Sequence, residues 1–440
     1  MRKKNIFFIL WVWGFFILLN ATSLMANADT LNQEPVATGW NVGALPAVAY
    51  TTDVGFRYGA LANLFYYGDG EVYPNYLHSL YFEWSRTTKG NGLNNFFYDS
   101  NYLIPDTRTT FDLMYLTEQA LDFYGFNGYE AFYDRDMEDG DQDLGPENAS
   151  RYYYRHDRRL LRITTDFQRR FYHDDWKWLG GTGFFGVKTG PVDRENLNDE
   201  EFGEDQTGIY EKYVDSGVIP DDMQDGGNTF FLKAGIIHDT RDQLSNPMKG
   251  VWTEAFVMAA PSFLGNGDYA YLQGVFIHRH YITLYPERLS LANRLGYQGR
   301  IAGSMPFYML PFIFSSYKTN DGFGGSKTVR GIRRNRVQGD GIAYANFELR
   351  YKAVRFHLLK QNFYISTSGF ADAAMVAQKY DIDYNNVGFI SAKSDRPHWG
   401  VGVGVHAVMN ENFVVAVNYG FALDEQDGDS GLYIGLNFLY

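Results

Sequence analysis

Residues 322–351 read GFGGSKTVRGIRRNRVQGDGIAYANFELRY, and their reading decides the fold. The stretch opens on a glycine-rich run and carries Arg330, Arg333, Arg334, Arg336 and Arg350. It closes as an alternating strand: Ala343, Ala345, Phe347, Leu349 and Tyr351 share one face, while Tyr344, Asn346, Glu348 and Arg350 share the other. Alternation of an apolar with a polar face is how the wall of a transmembrane barrel separates lipid from a wet lumen. An arginine carried into such a lumen needs an acceptor, because an unpaired buried charge costs several kcal/mol. Glu348, on the polar face of the strand that follows, is one acceptor.

The two ends of the sequence carry the same address. Arg2, Lys3 and Lys4 precede the apolar run Ile6–Leu19, and Ala26-Asn27-Ala28 is a small-x-small cleavage site, so Met1–Ala28 is expected to be a secretory signal. The run is shorter than the roughly twenty residues a membrane-spanning helix needs. At the other end Leu432, Ile434, Leu436, Phe438 and Tyr440 alternate with Tyr433, Gly435, Asn437 and Leu439. A last strand that ends on an aromatic residue and zips to the first strand leaves a barrel no free edge.

Composition narrows the class further. Aromatic residues make up 18% of the chain, with 34 Tyr and 35 Phe, as barrels with interfacial aromatic girdles require. The mean hydropathy of −0.33 decides nothing, because lipid-facing and lumen-facing residues average out. The absence of Cys excludes disulfides, thiolate metal sites and a Cys nucleophile. A formal charge of −13 makes nucleic acid a poor partner.

Strand-period alternation is expected over Leu45–Thr51, Gly55–Tyr67, Tyr76–Thr88, Arg108–Gln119, Trp176–Thr189, Thr229–His238, Val251–Ala260, Tyr269–Thr283, Leu289–Ile301, Phe363–Ala374, Trp399–Val405, Phe413–Phe421 and the two stretches already described. Tyr152–Phe171 is one very long strand or parts of two. An even number closes the sheet with both termini on one side, which gives about sixteen strands. The fold expected is all-β: a transmembrane antiparallel barrel over 45–440, a short periplasmic lead over 29–44, and the arginine-rich loop folded inward. Short turns such as 285–288 and 409–412 are expected in the periplasm, and the long acidic connections 128–150, 191–227 and 377–397 outside the cell.

Catalytic and metal-binding patterns are thin. The acidic run Asp134–Asp143 fails the spacing of a calcium loop, with its glycine one place late and Gly145 where a bidentate Glu belongs. It reads as a solvated acidic loop, as does 193–225, which divalent ions would bridge to lipopolysaccharide. His278 and His280 share one strand face without a matching carboxylate, so lumen polar residues are expected rather than a metal site. No G-x-S-x-G elbow or P-loop spacing occurs, so no enzyme, cofactor or metal is expected.

Gly324-Gly325-Ser326 followed by Val329-Arg330-Gly331-Ile332 resembles the signature loop of the BamA/TamA outer-membrane barrel superfamily, the bacterial surface antigen family. The resemblance implies that the loop folds into the lumen, and that its arginine meets an acid within an F-x-D-x-G pattern of a later strand. Phe370-Ala371-Asp372-Ala373-Ala374 stands there, with Ala374 in place of Gly, and Ile332 replaces the usual aromatic. Asp239-Thr240-Arg241-Asp242 with Pro247 and Gly250 is similar to the family's periplasmic turn. Most members carry periplasmic POTRA domains; only Asp29–Ala44 precedes the first strand expected here, so a barrel-only member working with separate periplasmic or outer-membrane assembly partners is implied. The family points to protein or lipid assembly and translocation in the Gram-negative outer membrane, in contact with membrane lipid and lipopolysaccharide. The alternative is a channel or structural barrel that has lost the assembly role.

Overall fold

The computed structural model describes residues 36–51, 55–88, 90–139, 152–193, 207–359, 361–382 and 394–440. The expected signal Met1–Ala28 lies outside the described residues, as does the start of the lead segment as far as Pro35. The strands are β1 (Trp40–Thr51), β2 (Gly55–Tyr66), β3 (His78–Thr87), β4 (Gly92–Ile104), β5 (Thr107–Asp122), β6 (Arg155–Arg170), β7 (Trp176–Gly190), β8 (Gly226–Asp239) and β9 (Gly250–Ala260). They continue as β10 (Tyr271–Tyr285), β11 (Leu289–Gly303), β12 (Phe312–Ile313), β13 (Asn320–Asp321), β14 (Gly341–Leu358), β15 (Gln361–Gln378), β16 (His398–Met409), β17 (Phe413–Ala422) and β18 (Ser430–Leu436). All but β12 and β13 form one 16-stranded antiparallel sheet in chain order. No described helix is long and apolar enough to cross a membrane.

Alternation explains the wall. On β16, Trp399, Val403 and Val405 stand on the exposed face, while His398 and His406 are buried on the other. Along β14 the exposed residues are Phe347, Leu349 and Tyr351, and the buried ones Asn346, Glu348 and Arg350. Tyr152–Phe171 resolves into the single strand β6, and the remaining strand is β4, which carries no clean signal. There Phe96 and Tyr98 face outward beside Asn94, while Phe97 faces inward against Tyr317, so both faces mix aromatic and polar residues. β1 begins at Trp40, ahead of the expected Leu45.

The longest connections, 123–154, 191–225, 304–340 and 379–397, all lie at one end of the sheet. They do not simply trail into solvent. Ile209, Tyr210 and Tyr213 on the short helix Ile209–Asp215, with Phe123, Phe126, Phe307, Phe312 and Phe314, are buried against the inward residues Phe185, Phe231, Trp252 and Ile277. The wet lumen expected from the sequence is thus corrected in part: along β7–β10 the inner face is packed with loop aromatics, among which Lys233, Glu254 and Gln273 are buried polar residues. The acidic loops expected to be solvated are so at Asp136, Asp215, Asp221, Asp222 and Asp225, which are exposed, but their aromatics anchor them inward. Within the run Asp134–Asp143, Arg135–Asp139 forms a short helix whose Glu138 lies within 3.6 Å of Arg155 and 3.5 Å of Arg333; Gly140–Asp143 lies outside the described residues.

Among the described residues no ladder joins β1 to β18. The sheet nevertheless curls until its ends touch at the short-turn end. Leu45 packs in one cluster with Phe65, Tyr67, Phe413 and Leu436, and Asn412 donates to the Tyr67 hydroxyl at 2.9 Å. β18 has 7 residues where β14 and β15 have 18 each, short of the roughly 9–11 that a tilted spanning strand needs.

Candidate functional site

The arginine loop is built to lie flat against the inner wall. Thr328 Oγ1 ties its base by donating to the Gly322 carbonyl at 2.8 Å and accepting from Gly324 N at 2.9 Å. Val329 and Ile332 are buried with Phe323, Val337, Ile342 and Val376, so the aliphatic Ile332 fills the place an aromatic would take. Gly331 has φ +97°, a conformation that glycine adopts without strain. A Cβ on Gly400 of β16 or Gly420 of β17 would run into the backbone of Arg330 and Gly331. The glycine-rich inner faces of β16 and β17 are therefore the socket for the loop.

Seated there, Arg330 is 1% exposed and its fork is fully occupied. Nε donates to Asp372 Oδ2 at 2.8 Å, Nη2 to Asp372 Oδ1 at 3.2 Å, and Nη1 to Glu348 Oε2 at 2.7 Å. Its backbone N donates to the same Asp372 at 3.0 Å, and the guanidinium carbon lies 3.5 Å from the Phe370 ring centroid. Glu348 also accepts from Arg350 Nε at 2.8 Å. Two arginines and two carboxylates balance in a space closed to solvent. Burial alone would pull the Arg330 guanidinium down, but Asp372 and then Glu348 outweigh it and hold it above its ordinary value.

Sequence reasoning missed the rest of the arginine network. Arg334 pairs with Glu118 of β5 at 2.5 Å and with Asp321 at 3.0 Å, and Arg158 of β6 holds the same two acids. Burial would raise the Asp321 carboxyl, yet Arg158 and Arg334 bring it below the usual carboxylate range. Arg336 donates to the carbonyls of Gly128 and Gln426 at 3.0 Å each, beside a buried set in which His398 bonds Asp427 at 2.6 Å and Asp395 at 3.0 Å. The signal was present in β6, where Arg158, Arg162 and Asp166 recur at even spacing on one face.

The turn residues come together between β8 and β9. Asp239 accepts from Arg241 Nε at 2.9 Å and Lys177 Nζ at 3.0 Å, and Asp242 caps Met248 N at 3.0 Å. Arg241 stacks over Trp252 at 4.1 Å. Pro247 lies in the turn, and a side chain on Gly250 would meet the Thr240 carbonyl. The arrangement is a rigid reversal.

Two expectations are corrected. The last strand does not alternate to its end: Leu432 and Ile434 are exposed on the outer face, but the chain leaves the wall after Leu436 through Asn437 at φ +67°. Phe438 then stacks on His406 at 4.5 Å and under Arg350 at 4.4 Å, while the Tyr440 hydroxyl donates to the Ala292 carbonyl at 2.8 Å. Burial of two aromatics against arginines, in place of a strand with no described partner, is the physical reason. His278 and His280 do not line the lumen either; they share the outer face of β10 with Phe276, and His278 bonds Thr253 at 2.8 Å.

A family model described as the Omp85 superfamily domain matches residues 78–438. The chain belongs to the Omp85 superfamily. Among solved structures it is similar to BamA from Haemophilus ducreyi lacking POTRA domains 1–3, with 17% identity, 91% of this chain and 69% of that one covered, and a TM-score of 0.47. It is also similar to CdiB from Escherichia coli, with 10% identity, 92% and 63% covered, and a TM-score of 0.52. CdiB from Acinetobacter baumannii matches with 13% identity, 91% and 66% covered, and a TM-score of 0.41. The chain spans less than two thirds of either CdiB. Among curated proteins no relative matches the sequence. As an Omp85 chain, it is a protein of the Gram-negative outer membrane.

Proposed function

We propose that this Omp85 chain forms a sixteen-stranded barrel that inserts or translocates proteins or lipids at the outer membrane, working with separate periplasmic partners. In this reading Met1–Ala28 is removed on export, the long-loop end faces the exterior and the short-turn end the periplasm. The observation that carries the proposal is the pair of sheet edges, β1 and β18, which meet where the wall is shortest with no ladder between them among the described residues. An unpaired strand edge is a template for an incoming strand. The loop pinned by Arg330, Asp372 and Glu348 is the fixed brace on the wall beside that movable seam. The Asp239–Gly250 turn braces the periplasmic rim.

Depletion of the protein followed by an outer-membrane proteome tests the proposal. Loss of a defined set of outer-membrane or surface proteins, or of an outer-leaflet lipid, supports it; an unchanged envelope contradicts it. A channel is the second reading, and the inward packing of loop aromatics along β7–β10 disfavours it. A large constitutive conductance in planar bilayers would move the assignment there.

A further inference from the structure

In a chain of net charge −13, three cations stand in one register row on the outer face at the long-loop end. Cross-strand pairing runs Tyr58–Arg86–Gly92–Thr117–Arg159–Lys188 across β2 to β7. The next row towards the short-turn end is Ala60, Trp84, Asn94, Tyr115, Leu161 and Gly186, and the one after it Ala62, Phe82, Phe96, Leu113, Ile163 and Phe184. The cations therefore cap an apolar band. On β6 the outward residues between Arg159 and Arg169 are Leu161, Ile163, Thr165 and Phe167. Ten residues rise about 33 Å along a strand, or about 25 Å along the membrane normal at a tilt of about 40°, the height of a barrel's apolar band. Arg159 and Arg169 thus mark its two edges. Asp157 lies 3.7 Å from Arg159 and one row further out, with Asp193 close to it.

Arg86 is held in place rather than trailing. Its Nη1 donates to the Ser85 and Leu93 carbonyls at 2.8 and 3.2 Å, Nη2 to Asn94 Oδ1 at 2.9 Å, and its guanidinium lies 5.3 Å from the Trp84 ring centroid. Gly92 makes room for it, since a Cβ there would come within 3.1 Å of Arg86 Cδ. Directly below, Trp84, Tyr115 and Leu113 flank an open groove of about 560 Å³ with Ala60, Ala62 and Asn94 in its lining.

We propose that this face binds a diphosphorylated glycolipid of the outer leaflet, one phosphate at Arg86, the other at Arg159 and Lys188, and an acyl chain in the groove. The placement of the long-loop end outside the cell comes from the reading above, but the binding does not depend on the assembly role. Arg86 and Arg159 lie three strands apart, about 14 Å at the usual spacing between strands. A headgroup with phosphates at opposite ends of a disaccharide bridges that span, and a single phosphodiester does not.

The test uses the full protein in phosphatidylcholine nanodiscs, titrated with diphosphorylated lipid A, monophosphorylated lipid A or phosphatidylglycerol and read by native mass spectrometry. Retention of the diphosphorylated form at least tenfold tighter than either of the others supports the site. Equal retention of the monophosphorylated form or of phosphatidylglycerol overturns it, and needs no variant. Arg86→Ala/Arg159→Ala/Lys188→Ala should abolish the preference, Asn94→Trp should weaken it by filling the groove, and Arg169→Ala at the opposite edge should leave it unchanged. A preference that survives the triple substitution also overturns the proposal.

Discussion

Arg330→Ala removes the side chain that pairs with Asp372. In the folded protein Glu348 would keep Arg350 at 2.8 Å, so the stranded charge is that of Asp372, which is fully buried and left with the Arg330 backbone amide alone of the hydrogen bonds described above. Breaking a buried pair by removing one partner costs about 3–5 kcal/mol, and losing the cation over Phe370 adds on the order of 1 kcal/mol. Arg330→Ala/Asp372→Asn removes the stranded charge as well and leaves the lost hydrogen bonds, about 1–2 kcal/mol, beside the same lost contact with Phe370. The double variant should therefore recover about 2 kcal/mol, roughly thirtyfold in the folded-to-unfolded ratio. Heat-modifiability on semi-native gels, with unfolding rates measured beside it because large barrels unfold irreversibly, should rank wild type above the double variant and the double variant above Arg330→Ala. Arg330→Lys should fall below wild type too, since an ammonium cannot make the bidentate fork. Were Arg330→Ala as heat-resistant as wild type, or the double variant no better than the single one, the buried-charge argument would be wrong.

Two further outcomes follow from the tail and from the loop. A cysteine at Tyr440→Cys should resist a bulky membrane-impermeant maleimide in the folded barrel and react on unfolding; rapid labelling when folded would put the tail outside the lumen. Phe438→Ala/Tyr440→Ala should lower heat resistance by loss of burial against Arg350 and Arg294, and an unchanged transition would mean that the tail adds nothing. Burial, among the rings of Tyr81 and Phe97, pulls the Lys318 ammonium down to about 8. Between there and the ordinary lysine value the unfolded chain binds more protons, so stability should rise with pH over about 8 to 10.4. Lys318→Met should flatten that rise in heat-resistance profiles, and an unaltered slope would assign it to other groups.

The fold was legible wherever one face of a strand was uniformly apolar, as in Trp399–Val405 and Ala343–Tyr351. It was obscured where the interior is not wet. β4 mixes aromatic and polar residues on both faces because Phe97 packs against a loop residue, Tyr317, that only the folded chain brings near. Inward-folding loops likewise hid their role, since the aromatics of Ile209–Asp215 carry no signal for the wall they cover. Glu348 could be named because a charge in a lumen demands an opposite charge on a wall strand, and Arg330 and Asp372 because the loop and the F-x-D stretch resemble those of the family. The partners of Arg334 and Arg336 could not, because Glu118 and Asp427 lie 216 and 91 positions away, with nothing in the spacing to link them. The inward turn of Phe438 and Tyr440 was masked by a pattern that suits a strand equally well.

The seam between β1 and β18 is the feature on which the proposed function turns. The chain has no native Cys, so Leu45→Cys/Leu436→Cys, at two side chains that pack in one cluster, can be bridged across that seam without background. The measurement is recovery of the outer-membrane proteome, or of the affected lipid, in depleted cells supplied with this variant and a reducible cross-linker, before and after reduction. Normal folding with function lost when bridged and restored on reduction is the predicted result. Full function with the seam locked would contradict it.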